Sequence, residues 1–162
     1  MIVVPDAGPL IYIAGAGQLD LLRLLYADVV VPRIVYEEVT VAGAGLTGSA
    51  EVLAAGWLRV VDHAADPTLA GRLDAGEAAA IPLALELGAV LLVDDGEART
   101  VAAERGLMVI GTLGVLLAAK RAGHLTAVAP VLDRMVHLGM FVGAALRARV
   151  LVLAGEGTAG AS

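Results

Sequence analysis

Residues 73–99, LDAGEAAAIPLALELGAVLLVDDGEAR, decide how this chain folds. Two acids, Asp74 and Glu77, open the stretch. An apolar helical run and a short apolar strand follow, and a second acidic pair, Asp94 and Asp95, closes it. A strand that ends where the next helix begins puts Asp94 and Asp95 at the carboxyl edge of a parallel sheet, the edge on which open α/β sheets carry their sites. Asp74-x-x-Glu77 before an apolar run has the form of a capping box, and Asp94-x-x-Glu97 repeats the spacing before the next helix. Capping accounts poorly for Glu77, which shares a helical stripe with Ile81, Ala84, Leu85 and Gly88 and so falls at the end of the buried face. Nor does a cap require Asp95 beside Asp94.

Outward from this centre the chain alternates strands with helices. Ile2, Val3 and Val4 form a β-rich run that ends at Asp6, and Pro9 suits the first turn of the helix that follows. A second short helix is marked by Leu19, Leu22 and Leu25, and a second strand by residues 29–31. RIVYEEVTVA (33–42) predicts one helix, with Glu38 on the side of Ile34, expected to turn inward, and Glu37 beside Arg33 at the surface. GAGLTG (43–48) reads as a loop and, lacking a following Lys-Ser/Thr, is no phosphate-binding loop. Further strands are expected at 57–61 and 108–110. A helix should start at Gly111-Thr112 with Thr112 able to cap it, and two more helices should lie within 125–138 and 143–154. The pattern predicts an α/β fold: a central parallel sheet of about four to five strands with helices on both faces. It predicts one domain over residues 1–155 and a flexible tail over 156–162.

Composition narrows the function. The 162 residues include no cysteine, so there is neither a disulfide framework nor a thiolate metal site. The apolar stretches 78–93 and 138–153 are broken by Pro82 and Glu86 and by Arg147 and Arg149, which argues against membrane spans. With no basic region or cleavage signal at the N-terminus, the expectation is a soluble, cytoplasmic protein. Residues 1–95 carry 4 basic and 13 acidic side chains, and residues 96–162 carry 7 basic and 4 acidic. That division suits carboxylates gathered for a cation with arginines nearby for an anionic substrate. His63, His124 and His137 show no zinc spacing, and neither Gly-x-Ser-x-Gly nor a Cys–His pair is present.

Each acid has a local explanation when taken alone: Asp6 as a helix N-cap, Glu38 as an acid that reaches solvent. Their conjunction says more. Asp6 follows the first strand, Asp94 and Asp95 follow a later one, and Glu38 and Glu77 project from helices, so neighbouring parallel strands would bring all five to one rim. Such a group repels itself unless a proton or a cation intervenes. Mg²⁺ or Mn²⁺, hard ions that take oxygen ligands, resolve the conflict. A pair of such ions about 4 Å apart activates water and stabilises the leaving oxygen of a phosphodiester.

The segments VPDAGPLIYIAGAGQLDLL, VPRIVYEEV, LDAGEAAAIPLA, LLVDDGEAR and VIGTLGVLLAAKRAG, in this order, resemble the PIN-domain family, most nearly its prokaryotic VapC-like toxin branch. The likeness runs over roughly residues 2–155. It implies a three-layer α/β/α fold and a Mg²⁺- or Mn²⁺-dependent endoribonuclease acting on single-stranded RNA. It also implies the toxin of a type II toxin–antitoxin pair, with a small antitoxin protein as partner. By that resemblance Asp6, Glu38, Glu77 and Asp95 match the acidic quartet, Asp94 is a fifth metal-side acid, and Arg99 stands where it would orient an acid or meet phosphate. Arg105 and Lys120 are further candidates for the RNA backbone. Two positions depart from the pattern: Gly8 replaces a common hydroxyl residue, and Glu77 is one methylene longer than the commoner Asp. The apolar excess suggests a large contact, a homodimer or the antitoxin. Gly8 motivates an alternative, a catalytically impaired PIN-like module that binds antitoxin or RNA. A phosphoacceptor receiver or phosphohydrolase would need a lysine placed against its aspartate, and Lys120, the one lysine, follows a helical run.

Overall fold

The structure is a computed structural model and describes residues 1–157. Five parallel strands, β1 (Ile2–Pro5), β2 (Asp28–Pro32), β3 (Arg59–Val61), β4 (Val90–Leu92) and β5 (Val109–Ile110), form one sheet in the order β3-β2-β1-β4-β5. Valine and leucine dominate β1, β2 and β4 because strands covered on both faces have no wet side to accommodate. Alternate residues enter different cores. Val3, Val29, Val31, Val90 and Leu92 pack into one, and Val4, Val30, Leu91 and Val93 into the other. That period of two, with a core on each face, is the three-layer arrangement expected.

The helices are α1 (Ala7–Gly15), α2 (Asp20–Leu25), α3 (Arg33–Glu37), α4 (Ser49–Ala54), α5 (Ala75–Leu87), α6 (Gly96–Glu104), α7 (Thr112–Arg121), α8 (Ala129–His137) and α9 (Ala144–Leu153), with a 3₁₀ turn at Pro67–Leu69. Leu10, Leu22, Leu116 and Leu132 belong to the core that holds Val3, and Ile81 and Val101 to the core that holds Val4. None of the described helices is long and apolar enough to cross a membrane.

Several local expectations need correction. The helix predicted over 33–42 is α3 followed by a π-helical turn, Glu38–Ala42. Thr40 Oγ1 donates to Tyr36 O at 2.8 Å, and Gly43 N donates five residues back to Glu38 O at 3.0 Å. The wider turn ends on glycine because a Cβ at Gly43 would fall 2.7 Å from Val39 O. Its buried stripe is Val35 and Val39, whereas Ile34 is 38% exposed and Glu38 is exposed beside it. The inward placement expected for Glu38 is therefore reversed. Helix α4 lies just past the loop 43–48 and was not expected.

Thr112 does not cap α7; it is the helix's first residue, and Asp94 caps it from outside. Nor does Asp94 cap α6, where Asp95 is the N-cap and accepts from Ala98 N at 2.9 Å. The tail expected from residue 156 is tied at its start. Glu156 accepts from Val128 N at 2.7 Å, Ala129 N at 2.9 Å and Lys120 Nζ at 2.8 Å. Residues 158–162 of that tail lie outside the described residues.

The sheet order matters most for function. The chain moves outward from β1 to β2 and β3, then returns past β1 to build β4 and β5 on its other side. Loops leaving β1 and β4 therefore diverge, and the crevice between them is where such sheets bind ligands. Pro5 pairs with Leu92 in the ladder, and Asp6 N extends it to Leu92 O at 2.9 Å.

Candidate functional site

Asp6 stands at that crevice. By position it is the N-cap of α1, yet its side chain makes no capping bond. Its carboxylate is instead buried, 8% exposed, and Oδ1 has no hydrogen-bond partner among the described residues. Burial pushes its pKa up to about 7, with the charges of Asp74, Glu77 and Glu38 adding and the Ala7 backbone N–H partly opposing. An unpartnered carboxylate oxygen in the interior is costly unless a proton or a cation is present.

Glu77 faces Asp6 from the first turn of α5. The capping box read from the sequence is present: Glu77 N donates to Asp74 Oδ1 at 2.8 Å, and Asp74 N to Glu77 Oε1 at 3.1 Å. Glu77 is nonetheless 7% exposed, as its place on the buried stripe predicts. Burial raises its pKa to about 7, helped by the charges of Asp74 and Asp95. Cap and cluster member are the same residue. Glu38, from the π-turn, has its pKa raised by lost solvation and by the charge of Asp74.

Asp74 is the acid that the sequence places in the capping box and leaves open as a member of the site. A Cβ built on Gly76 would fall 3.4 Å from Asp6 Oδ1 and 3.5 Å from Asp74 Oδ1. Both oxygens thus converge on a residue that has no side chain to separate them. Gly76, between cap and Glu77, was the available signal. Asp6, Glu38, Asp74, Glu77 and Asp95 form one connected set of mutually repelling charges. Asp95 enters only through Glu77, since one of its oxygens caps α6.

Asp94 does not join them. It accepts from Thr112 N at 2.8 Å and from Thr112 Oγ1 at 2.6 Å, which pins the start of α7 to the end of β4. Both oxygens of this acid, expected on the metal side, are thus engaged by Thr112. Arg99 lies on Asp94's side: its Nη1 donates to Val93 O at 3.1 Å, and a Cβ at Gly111 would fall 2.9 Å from both Arg99 Nη1 and Asp94 Oδ1. Arg105 is held by Asp66 at 2.8 Å and Lys120 by Glu156, so neither is presented to a polyanion.

Among the described residues, no three histidine or acidic side chains converge tightly enough, as they stand, to hold a metal ion. The donor chemistry nevertheless fits a hard divalent cation. All the cluster's donors are carboxylate oxygens, one of them buried without a partner, and two of the acids have pKa values raised to about 7.

A family model described as a PIN domain matches residues 2–156. Among solved structures, the chain is similar to a PilT N-terminus domain protein from the hyperthermophilic archaeon Sulfolobus solfataricus. The two share 18% identity at a TM-score of 0.49, over 88% of this chain and 98% of the other. No curated protein matches the sequence.

Proposed function

We propose that the protein, which belongs to the PIN-domain family, is a Mg²⁺- or Mn²⁺-dependent endoribonuclease that hydrolyses phosphodiester bonds of single-stranded RNA. PIN domains have a nuclease-type fold and generally use divalent metals. The observation that carries the reading is Asp6: a buried carboxylate with one oxygen unpartnered among the described residues, at the sheet's switch point, with the charges of Asp74, Glu77 and Glu38 acting on it and Asp95 acting on Glu77. Asp6 and Glu77 would hold the ion from the buried side, with Asp74, Glu38 and Asp95 nearer solvent. When bound, the ion would supply Lewis-acid polarisation of the phosphodiester and an ionised water. Asp95 would serve with its uncapped oxygen, while its bond to Ala98 N fixes the carboxylate. Arg99, held in place by Val93 O, would meet a phosphate beside the acids.

The toxin role follows the family resemblance and calls for a small antitoxin partner. Exposed Val41, Leu46 and Leu53, the last on α4, and Val152 and Leu153 on α9, supply apolar surface for the antitoxin and for a homodimer. Substituting Asp6→Asn or Asp95→Asn tests the central reading on Mn²⁺-dependent cleavage of single-stranded RNA. Loss of at least about a hundredfold in rate is expected for Asp6→Asn, in the range that removing an electrostatic stabiliser costs. Unchanged cleavage in both variants would refute it.

A further inference from the structure

Phe141 is the single phenylalanine of the chain and is 91% exposed. Its neighbours Met140 and Val142 pack against the core, and Met140 N is fixed to Met135 O at 3.0 Å. The link between α8 and α9 is therefore anchored on both sides of a ring left in solvent. That ring lines a cleft of about 580 Å³ together with Ile110, Met140 and Leu146 and with Asp94 and Arg99. A cleft of this size accommodates a small-molecule-sized group.

Three features say what the cleft takes. It adjoins the acidic crevice: Asp94 lines it, and Asp95, the next residue, bears on Glu77. Arg99, exposed in its lining, is tethered by one N–H to Val93 O and makes no ion pair among the described residues, which leaves its other N–H groups without a protein partner there. Asp94's charge is meanwhile engaged by the Thr112 N–H and hydroxyl, which lessens repulsion of a polyanion there. An exposed ring, apolar walls and a cation beside them make up the grip that proteins use on single-stranded nucleic acid, with a base stacked on the ring and its phosphate on the arginine.

We infer that this cleft is a nucleotide subsite for single-stranded RNA, in which a base flanking the scissile phosphate stacks on Phe141 and its phosphate meets Arg99. The inference rests on the nuclease reading above and adds the residue that grips the substrate. It predicts that Phe141→Ala, made in an Asp6→Asn background so that the RNA survives, weakens binding of a fluorescein-labelled single-stranded decamer by roughly 5- to 150-fold, the range for loss of one stacked base. Phe141→Trp should restore the affinity and Phe141→Leu should not, because an aliphatic side chain restores burial without a ring face. Removing so exposed a ring should leave the melting temperature unchanged, which excludes misfolding as the cause. In otherwise native protein with Mn²⁺, Phe141→Ala should raise KM and spare kcat.

Equal RNA affinity of Phe141→Ala and its parent, or full rescue by Phe141→Leu, overturns the subsite and leaves the cleft to a protein partner. Absence of Mn²⁺-dependent RNA cleavage by the native protein overturns the nuclease reading instead, whatever Phe141 does, and cleavage unchanged in both Asp6→Asn and Asp95→Asn overturns the assignment of the acids.

Discussion

Replacing Asp6 by Asn should make the metal-free protein more stable at pH 8 and leave it no more stable at pH 4. Burial and neighbouring acids raise the Asp6 pKa from 3.8 to about 7. Between those limits the native state holds a proton that the unfolded chain has released, so stability falls as pH rises through the interval. At about 1.4 kcal/mol per pKa unit, the roughly three-unit rise sets a ceiling near 4 kcal/mol on what the ionised group costs at pH 8. Asparagine keeps the shape and removes the charge, but its amide inherits the unpartnered position of Oδ1, which returns about 1–3 kcal/mol of the gain. A net stabilisation of about 2 kcal/mol at pH 8, vanishing or reversing by pH 4, is the expected outcome in urea unfolding with chelator present. Saturating Mg²⁺ should then stabilise the native sequence at pH 8 more than the variant, because only the former offers a carboxylate to the ion. A variant no more stable than its parent at pH 8, or stabilised equally at both pH values, would refute the claim that Asp6 is a strained, cation-seeking acid.

Glu77→Gln should keep the capping box, since Gln serves at that position, and should stabilise at pH 8 by the same sign argument, from a pKa raised to about 7. Because the charge of Glu77 adds to the cost of an ionised Asp6, the double variant measured by urea unfolding should gain less than the two single gains together. Asp94→Ala should destabilise by about 1–2 kcal/mol through loss of the α7 cap while sparing Mn²⁺ binding measured by calorimetry. Loss of Mn²⁺ binding in that variant would return Asp94 to the site. Gly8→Ser meets open space and should fold, with a thermal stability equal to or slightly above the parent's. A marked rise in Mn²⁺-dependent RNA cleavage would mark the native chain as an impaired enzyme, and unchanged cleavage would dismiss that reading.

The strands were legible because β1, β2 and β4 are short apolar runs that end at a helix-compatible residue, a pattern that few other local structures share. Asp6 and Glu77 were legible too: Glu77 by its stripe, Asp6 by its place after a strand. The exchange of roles between Asp94 and Asp95 was not. Either acid satisfies the local capping rule, and the choice is made by Thr112, which β5 delivers from a distant part of the chain. Helix α4 was hidden by the glycine-rich loop that precedes it, and the π-turn by a helical pattern that holds until Thr40 bonds back to Tyr36.

What no local pattern contains is the return of the chain past β1. That return sets β4 beside β1 and brings Asp6 into the same rim as acids from the far half of the molecule. Packing alone would oppose this outcome, since the assembled acids raise one another's pKa and leave Asp6 Oδ1 unpartnered among the described residues. An apolar residue at position 6 would avoid that cost. A fold that tolerates such a cost at its switch point, while satisfying Asp66, Asp94 and Glu156 with nearby donors, concentrates its strain, among the described residues, where a cation would relieve it.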